Sequence, residues 1–274
     1  MDWTRTGKRL RQAATRLVAV LVLFALPALA PLGNAFAAEI TFVSVVGYWR
    51  DPVDSMPGPQ TGDPVITNGD PISSISWGST SGQQSGYDFI AASPLPPPFD
   101  LPGPIPFFSL GDFQHRNFTV GQPWLVSVEL DVVMVIAVDG VQLEPLTFTY
   151  TINHDETPNN QDPCPYPTPP GEGCTDRVQI VASPAPTTFN VDGVDYTLDM
   201  SFLDENGNPV DEFITREGNT VNSSGLVGEF TLPPGLSATK TGPATRRIGE
   251  YGNFVIGVQN ESEADAHRAT ILDM

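Results

Sequence analysis

Strict alternation of apolar and polar residues constrains this chain more than any other feature. Val194, Tyr196, Leu198, Met200 and Phe202 alternate with Asp195, Thr197, Asp199 and Ser201. Leu146, Phe148, Tyr150 and Ile152 alternate in the same way with Thr147, Thr149 and Thr151. Successive side chains of an extended chain point to opposite faces, so a period of two makes one dry face and one wet face, which a 3.6-residue helical period cannot do. Ile40–Trp49 is a further β-rich run. The stretch from Trp124 to Val138 begins as an alternating strand and turns apolar at every position from Val132, the pattern of a central strand covered on both faces. No window beyond residue 38 sustains apolar residues at helical spacing.

The turns agree with the strands. Asp139-Gly140 and Asp192-Gly193 each stand between valines. Asp-Gly tolerates the positive φ values of a type I′ turn, so each predicts a two-residue hairpin. Glu205-Asn206-Gly207-Asn208 is a third turn. Pro94–Pro106 reads as a stiff proline-rich loop and Asp51–Pro71 as a second irregular insertion. Many short strands without crossover helices predict an all-β fold, an antiparallel β-sandwich of jelly-roll type over residues 38–233.

The first 37 residues read as a secretory signal. Arg5, Lys8, Arg9, Arg11 and Arg16 make a basic start, Leu17–Leu32 is almost wholly apolar but broken by Pro27 and Pro31, and Ala35-Phe36-Ala37 offers small residues for cleavage after Ala37. The apolar run is too short and too interrupted for a membrane span, and no second run follows. Cleavage would remove five of the 13 basic and one of the 32 acidic residues, leaving 8 and 31 and a net charge of −23. Such a surface repels phosphate backbones, so no nucleic-acid partner is expected. In an exported chain the only two cysteines, Cys164 and Cys174, are expected to pair; the loop between them is rich in Pro and Gly and cannot be regular structure.

Signatures of chemistry are sparse. His115, His154 and His267 form no zinc-hydrolase spacing. Gly78-Ser79-Thr80-Ser81-Gly82 has threonine where a nucleophile elbow needs serine. His115 and Asn117 lie two apart on a strand and share a face with Phe113, which suits either a ligand or metal site or a polar cluster bonding adjoining loops. Asp204, Asn206 and Asn208 hold positions one, three and five of a calcium loop, but Pro209 stands where an EF-hand needs glycine. Asp155, Glu156 and Asp162 are a second oxygen-rich group. Calcium is retained as an alternative; no other cofactor, no metal ligand set and no catalytic residue is expected.

Several motifs carry a resemblance. Ile75-Ser76-Trp77-Gly78 and Gln84-Ser85-Gly86-Tyr87-Asp88-Phe89 are followed by Leu110-Gly111-Asp112-Phe113-Gln114-His115-Arg116-Asn117-Phe118, then Asn153-His154-Asp155-Glu156-Thr157-Pro158-Asn159, the Cys164/Cys174 pair and Val191-Asp192-Gly193-Val194-Asp195-Tyr196-Thr197-Leu198. In order and spacing this resembles the THxN family, secreted bacterial proteins also described by a choice-of-anchor K domain. The likeness spans roughly residues 39–232. Gln114 departs from the family's threonine, while His115 and Asn117 match. The motif residues on which the resemblance rests are Trp77, Gly78, Gln84, Ser85, Gly86, Phe113, His115, Asn117, Glu156, Thr157, Pro158 and Asn159. The family has no established activity, and the PEP-CTERM tail of many members does not occur in these residues. Residues 234–274 resemble instead the start of the bacterial Ig-like repeat called domain of unknown function eleven, which implies an incomplete Ig-like unit and a longer surface protein.

The resulting expectation is a non-enzymatic exported module of a bacterial surface or extracellular-matrix protein, serving adhesion or envelope architecture by binding extracellular polysaccharide or a surface protein. The alternatives are an extracellular carbohydrate-active enzyme on a jelly-roll scaffold and a calcium-dependent adhesin.

Overall fold

A computed structural model describes residues 37–78, 83–183, 186–218, 220–233, 236–242 and 255–260. The signal segment, up to residue 36, lies outside the described residues. The strands in chain order are β1 (Ala38–Asp54), β2 (Val65–Thr67), β3 (Ile72–Trp77), β4 (Ser85–Ala91), β5 (Phe99–Leu101), β6 (Phe108–Asn117), β7 (Leu125–Val138), β8 (Val141–Gln142) and β9 (Leu146–Asp155). They continue as β10 (Asp176–Ala182), β11 (Phe189–Val191), β12 (Val194–Leu203), β13 (Pro209–Val210), β14 (Glu212–Thr215), β15 (Thr220–Thr231), β16 (Leu236–Thr241) and β17 (Val255–Asn260). No helix occurs among the described residues.

The expected all-β sandwich is what these strands build. One sheet runs β14-β10-β9-β7-β1-β5, with β8 on β7; the other runs β11-β12-β15-β6-β4-β3-β2, with β13 on β12. Their pairings are antiparallel, for example Tyr87 opposite His115 and Val132 opposite Phe148. Among the described residues, strands β16 and β17 pair only with each other, in a third sheet. The hairpin turns follow from their Asp-Gly pairs. Asp139 and Gly140 have φ of 49° and 76°, and Asp192 and Gly193 have 51° and 87°, the left-handed values that match the twist of the flanking strands. The turn after β12 closes through Gly207 N–H to Asp204 O at 3.0 Å.

The inner faces of the two sheets make the core. On β7 the side chains of Val128, Leu130, Val132, Met134 and Ile136 have no exposure, and each contributes about 1.5–3 kcal/mol by leaving water. One end of the core is filled by phenylalanine. Phe42–Phe108, Phe108–Phe230 and Phe189–Phe230 have ring centroids 4.7, 5.0 and 4.8 Å apart, tilted or edge-on as aromatic quadrupoles prefer.

Three sequence expectations need correction. β7 is central but its outer face is covered only in part: Val133 and Val135 are half-buried there and Ala137 is buried, so an unbroken apolar run here reflects β propensity as well as burial. On β12, Thr197 and Ser201 lie in the polar phase yet are buried; Thr197 is covered by a loop whose Thr187 carbonyl accepts its hydroxyl at 2.9 Å. The two insertions are not wholly irregular. The proline-rich loop contains β5, which pairs with the start of β1, and the 51–71 segment holds the end of β1 and all of β2.

Candidate functional site

At the end of the core away from the phenylalanines, polar residues occupy the inward phase of the strands. On β6 the inward series is Phe113, His115, Asn117; on β9 it is Phe148, Tyr150, Ile152, His154; on β10 it starts with Asp176 before Val178 and Ile180. Because His154 sits opposite Val178 and Asp176 opposite Thr215, the ends of β9, β10 and β14 meet the ends of β4 and β6 across the sandwich. His115, Asn117, Asp176 and Thr215 have no exposure, and His154, Thr157 and Glu217 have 6% or less.

Hydrogen bonds join these groups between the sheets. The Tyr87 hydroxyl is 2.5 Å from His154 Nδ1, and His154 Nε2 is 3.0 Å from Glu156 Oε2. His115 Nδ1 is 2.9 Å from Thr215 Oγ1. Asp176 accepts from Asn117 Nδ2 and from the Thr157 amide, both at 2.7 Å. Glu217 accepts from Asn159 Nδ2 at 2.8 Å and from Thr119 Oγ1 at 2.9 Å. The Trp77 ring stacks on His115 with centroids 5.8 Å apart, and the two imidazoles stand perpendicular at 5.2 Å. Buried atoms without a partner remain: Trp77 Nε1, His115 Nε2, Asn117 Oδ1, Asn159 Oδ1 and Glu217 Oε2.

The electrostatics follow from the burial. Leaving water pushes the Glu156 carboxyl up to about 8, helped by Glu217. It pushes Asp176 up to about 7, with Glu156 adding to the rise and His154 and the Thr157 amide opposing it. Burial holds His115 well below the usual histidine range, with the charge of His154 and Arg116 adding to the fall. His154 is lowered by burial too, against the pull of Asp176, Asp155 and Glu217. Tyr87 is raised by burial and by Asp176 and Glu156. Three buried carboxyl groups thus share this end of the core. Among the described residues, none of Arg50, Arg116, Arg177, Arg216 and Lys240 is buried to balance them. The nearest guanidinium, Arg116, turns its Nε to Asp88 at 3.1 Å.

Most of the motif residues converge here. Trp77, Phe113, His115, Asn117, Glu156, Thr157 and Asn159 line or buttress the cluster. Ser85 fastens its rim, donating to Phe118 O at 2.8 Å and accepting from Phe118 N at 3.1 Å. Gly86 is required by contact: a Cβ there would strike the Arg116 guanidinium and the Ile75 carbonyl. Gly78 is buried beside Val120, and Gln84 reaches the Gly78 carbonyl at 3.3 Å. Pro158 is exposed and stands outside the cluster. Cys164 and Cys174 are bonded, with Cα atoms 5.4 Å apart, and their loop precedes β10 by one residue.

The two oxygen-rich groups do not assemble. Asp204 spends its carboxylate on the amides of Asn206 and Asn208 at 2.8 and 2.7 Å and on Asn208 Nδ2 at 3.1 Å, so the segment is a self-bonded turn. Glu156 faces inward to His154, whereas Asp155 binds the Tyr166 hydroxyl on the surface and Asp162 is exposed. Of the Gly78–Gly82 stretch, residues 79–82 lie outside the described residues. Sequence reasoning missed Tyr87's role, Asp176, Thr215 and Glu217. The available signal was phase: Asp176 and His154 fall on the dry side of otherwise apolar alternations.

A scan with protein-family models and a search among curated proteins found no match to this chain.

Proposed function

We propose that the chain is an exported, non-enzymatic module of a bacterial surface or extracellular-matrix protein that binds polysaccharide or a surface protein. The observation that carries this reading is the complete burial of His115, Asn117 and Asp176. The groups best suited to acid–base chemistry face one another inside the core, where a polymer cannot reach them, and catalysis needs such groups within hydrogen-bond reach of substrate. Their role is then to fix how the sheets meet. The disulfide suits an oxidising compartment, and the THxN-like motif order suits secretion. On the surface, a groove of about 500 Å³ framed by Pro94, Pro96 and Pro97 carries Phe107, 52% exposed, a ring suited to stacking on a sugar face.

A glycan array and a reducing-sugar assay on the secreted protein test this. Binding without turnover, weakened by Phe107→Ala, is expected. Release of reducing ends from any polysaccharide would refute the non-enzymatic reading and favour a carbohydrate-active enzyme.

A further inference from the structure

We propose that His115, His154 and Asp176 form a structural site for one divalent transition-metal ion, Zn²⁺ by the chemistry of its ligands. One ligand atom from each residue lies within 4.8 Å of the others, all three residues being buried. Zinc holds nitrogen and oxygen ligands at about 2.0–2.2 Å, so the three must draw in by an ångström or so, which is within side-chain adjustment.

The surroundings fit a metal in three independent ways. Metal-bound histidines usually engage an oxygen through their second ring nitrogen. Here His115 Nδ1 meets Thr215 Oγ1 and His154 Nε2 meets Glu156, which leaves His115 Nε2 for an ion, while His154 Nδ1 would take the ion in place of the Tyr87 hydroxyl, its present partner at 2.5 Å. His115 Nε2 is buried with no partner among the described residues. The Asp176 carboxylate is steered by Asn117 and the Thr157 amide, as a ligating carboxylate needs to be.

Charge gives the second reason. Asp176, Glu156 and Glu217 are withdrawn from water with no buried Lys or Arg among the described residues. Buried carboxylates are normally paired, protonated or bound to a cation, and a divalent ion would meet that demand at one point. The ligand type is the third reason. Two imidazoles and a carboxylate suit Zn²⁺ and its neighbours; Ca²⁺ takes six to eight oxygens. Such a closed site would stiffen the sandwich and is independent of what the outer surface binds.

The test uses the full chain with its disulfide intact. It is unfolded in denaturant with EDTA, then refolded with and without Zn²⁺ and dialysed. Stoichiometric zinc by elemental analysis is expected, together with a melting temperature raised by roughly 5–10 °C at a hundredfold excess over Kd. Co²⁺ in its place should give visible d–d absorption. His154→Gln should abolish both signals while leaving every surface carboxylate, which separates the site from loose surface binding. Should that variant fail to fold, the wild-type chain still decides. Equal melting temperatures with and without Zn²⁺ and no retained metal would overturn the proposal, as would unchanged retention in a folded His154→Gln chain.

Discussion

The two ends of the sandwich core are made from the same strands and held by different physics. β6 runs from Phe108 at one end to His115 and Asn117 at the other, and β9 runs from Phe148 to His154. At the phenylalanine end, contacts are non-directional: rings lie tilted or stacked against one another at 4.7–6.2 Å, and a swap of similar volume is tolerated. At the polar end the contacts are directional, and Tyr87, His154, Asn117, Asp176 and Thr215 each have a hydrogen-bond partner to lose. Hydrophobic burial supplies stability almost anywhere in the core, whereas the histidine–aspartate cluster supplies one particular registration of β4 and β6 over β9, β10 and β14. The motif residues gather at the polar end because only there does the identity of a side chain matter atom by atom.

The two ends should differ most when one partner is removed from each. Asp176→Ala leaves the Thr157 N–H buried without an acceptor and the Asn117 amide with only the long contact to Thr215 Oγ1 at 3.5 Å, a loss of about 3–5 kcal/mol. Phe230→Leu at the other end should cost only about 1–1.5 kcal/mol. Chemical denaturation of both variants checks this, and equal mildness would mean that the polar cluster is dispensable. Next in size is the Cys164–Cys174 bond, which restrains the loop leading into β10. Replacing both cysteines by serine should cost about 2–3 kcal/mol by freeing the unfolded chain, with Asp176's amide partner Thr157 exchanging faster than residues around Phe230.

The smallest effect at neutral pH belongs to Glu156→Gln, since a carboxyl held up to about 8 is already protonated there and glutamine copies its shape. Its signature is in the pH profile of metal-free protein. Glu156 and Asp176 titrate at about 8 and about 7 when folded, against ordinary carboxyl values near ~4 when unfolded. Over that interval the native state holds protons that the unfolded state has lost. Their stabilisation is full below the unfolded value and disappears as pH rises through about 7–8. The lowered histidines act oppositely: the unfolded chain takes up protons first as pH falls below ~6.5, so stability declines on the acid side. Thermal melts in EDTA across pH should fall on both sides. Glu156→Gln should flatten the alkaline fall, and Phe230→Leu should lower the curve without altering its shape. An unaltered alkaline slope in Glu156→Gln would place the titration elsewhere.

Much of the scaffold was legible in local sequence because its causes are local. Asp139-Gly140 and Asp192-Gly193 demand their turns, and the alternation through Tyr196, Leu198 and Met200 demands a strand that turns these three side chains into the core. The cysteine pair and the neighbourhood of His115 and Asn117 were legible for the same reason. The cluster was not, because His115, His154, Asp176 and Thr215 come from four strands, and no linear spacing encodes which strand ends meet across two sheets. The burial of Thr197 was hidden likewise, since the loop that covers it is a tertiary event. What could be read in advance was the anomaly of phase: a histidine closing the series Phe148, Tyr150, Ile152, and an aspartate opening Val178, Ile180.

The claim that one end of the core is a sealed, directional polar network is tested most directly by the protonation of its histidines. Long-range ¹H–¹⁵N NMR of the His115 and His154 side chains, followed from neutral to mildly acidic pH in folded protein, reports each ring's charge and tautomer. Both rings should stay neutral through pH ~6.5, His154 locked in a single tautomer between Tyr87 and Glu156 and His115 held by Thr215 at Nδ1. Free titration of either ring at or above that ordinary value, with averaged tautomers, would show water at the cluster and contradict the account.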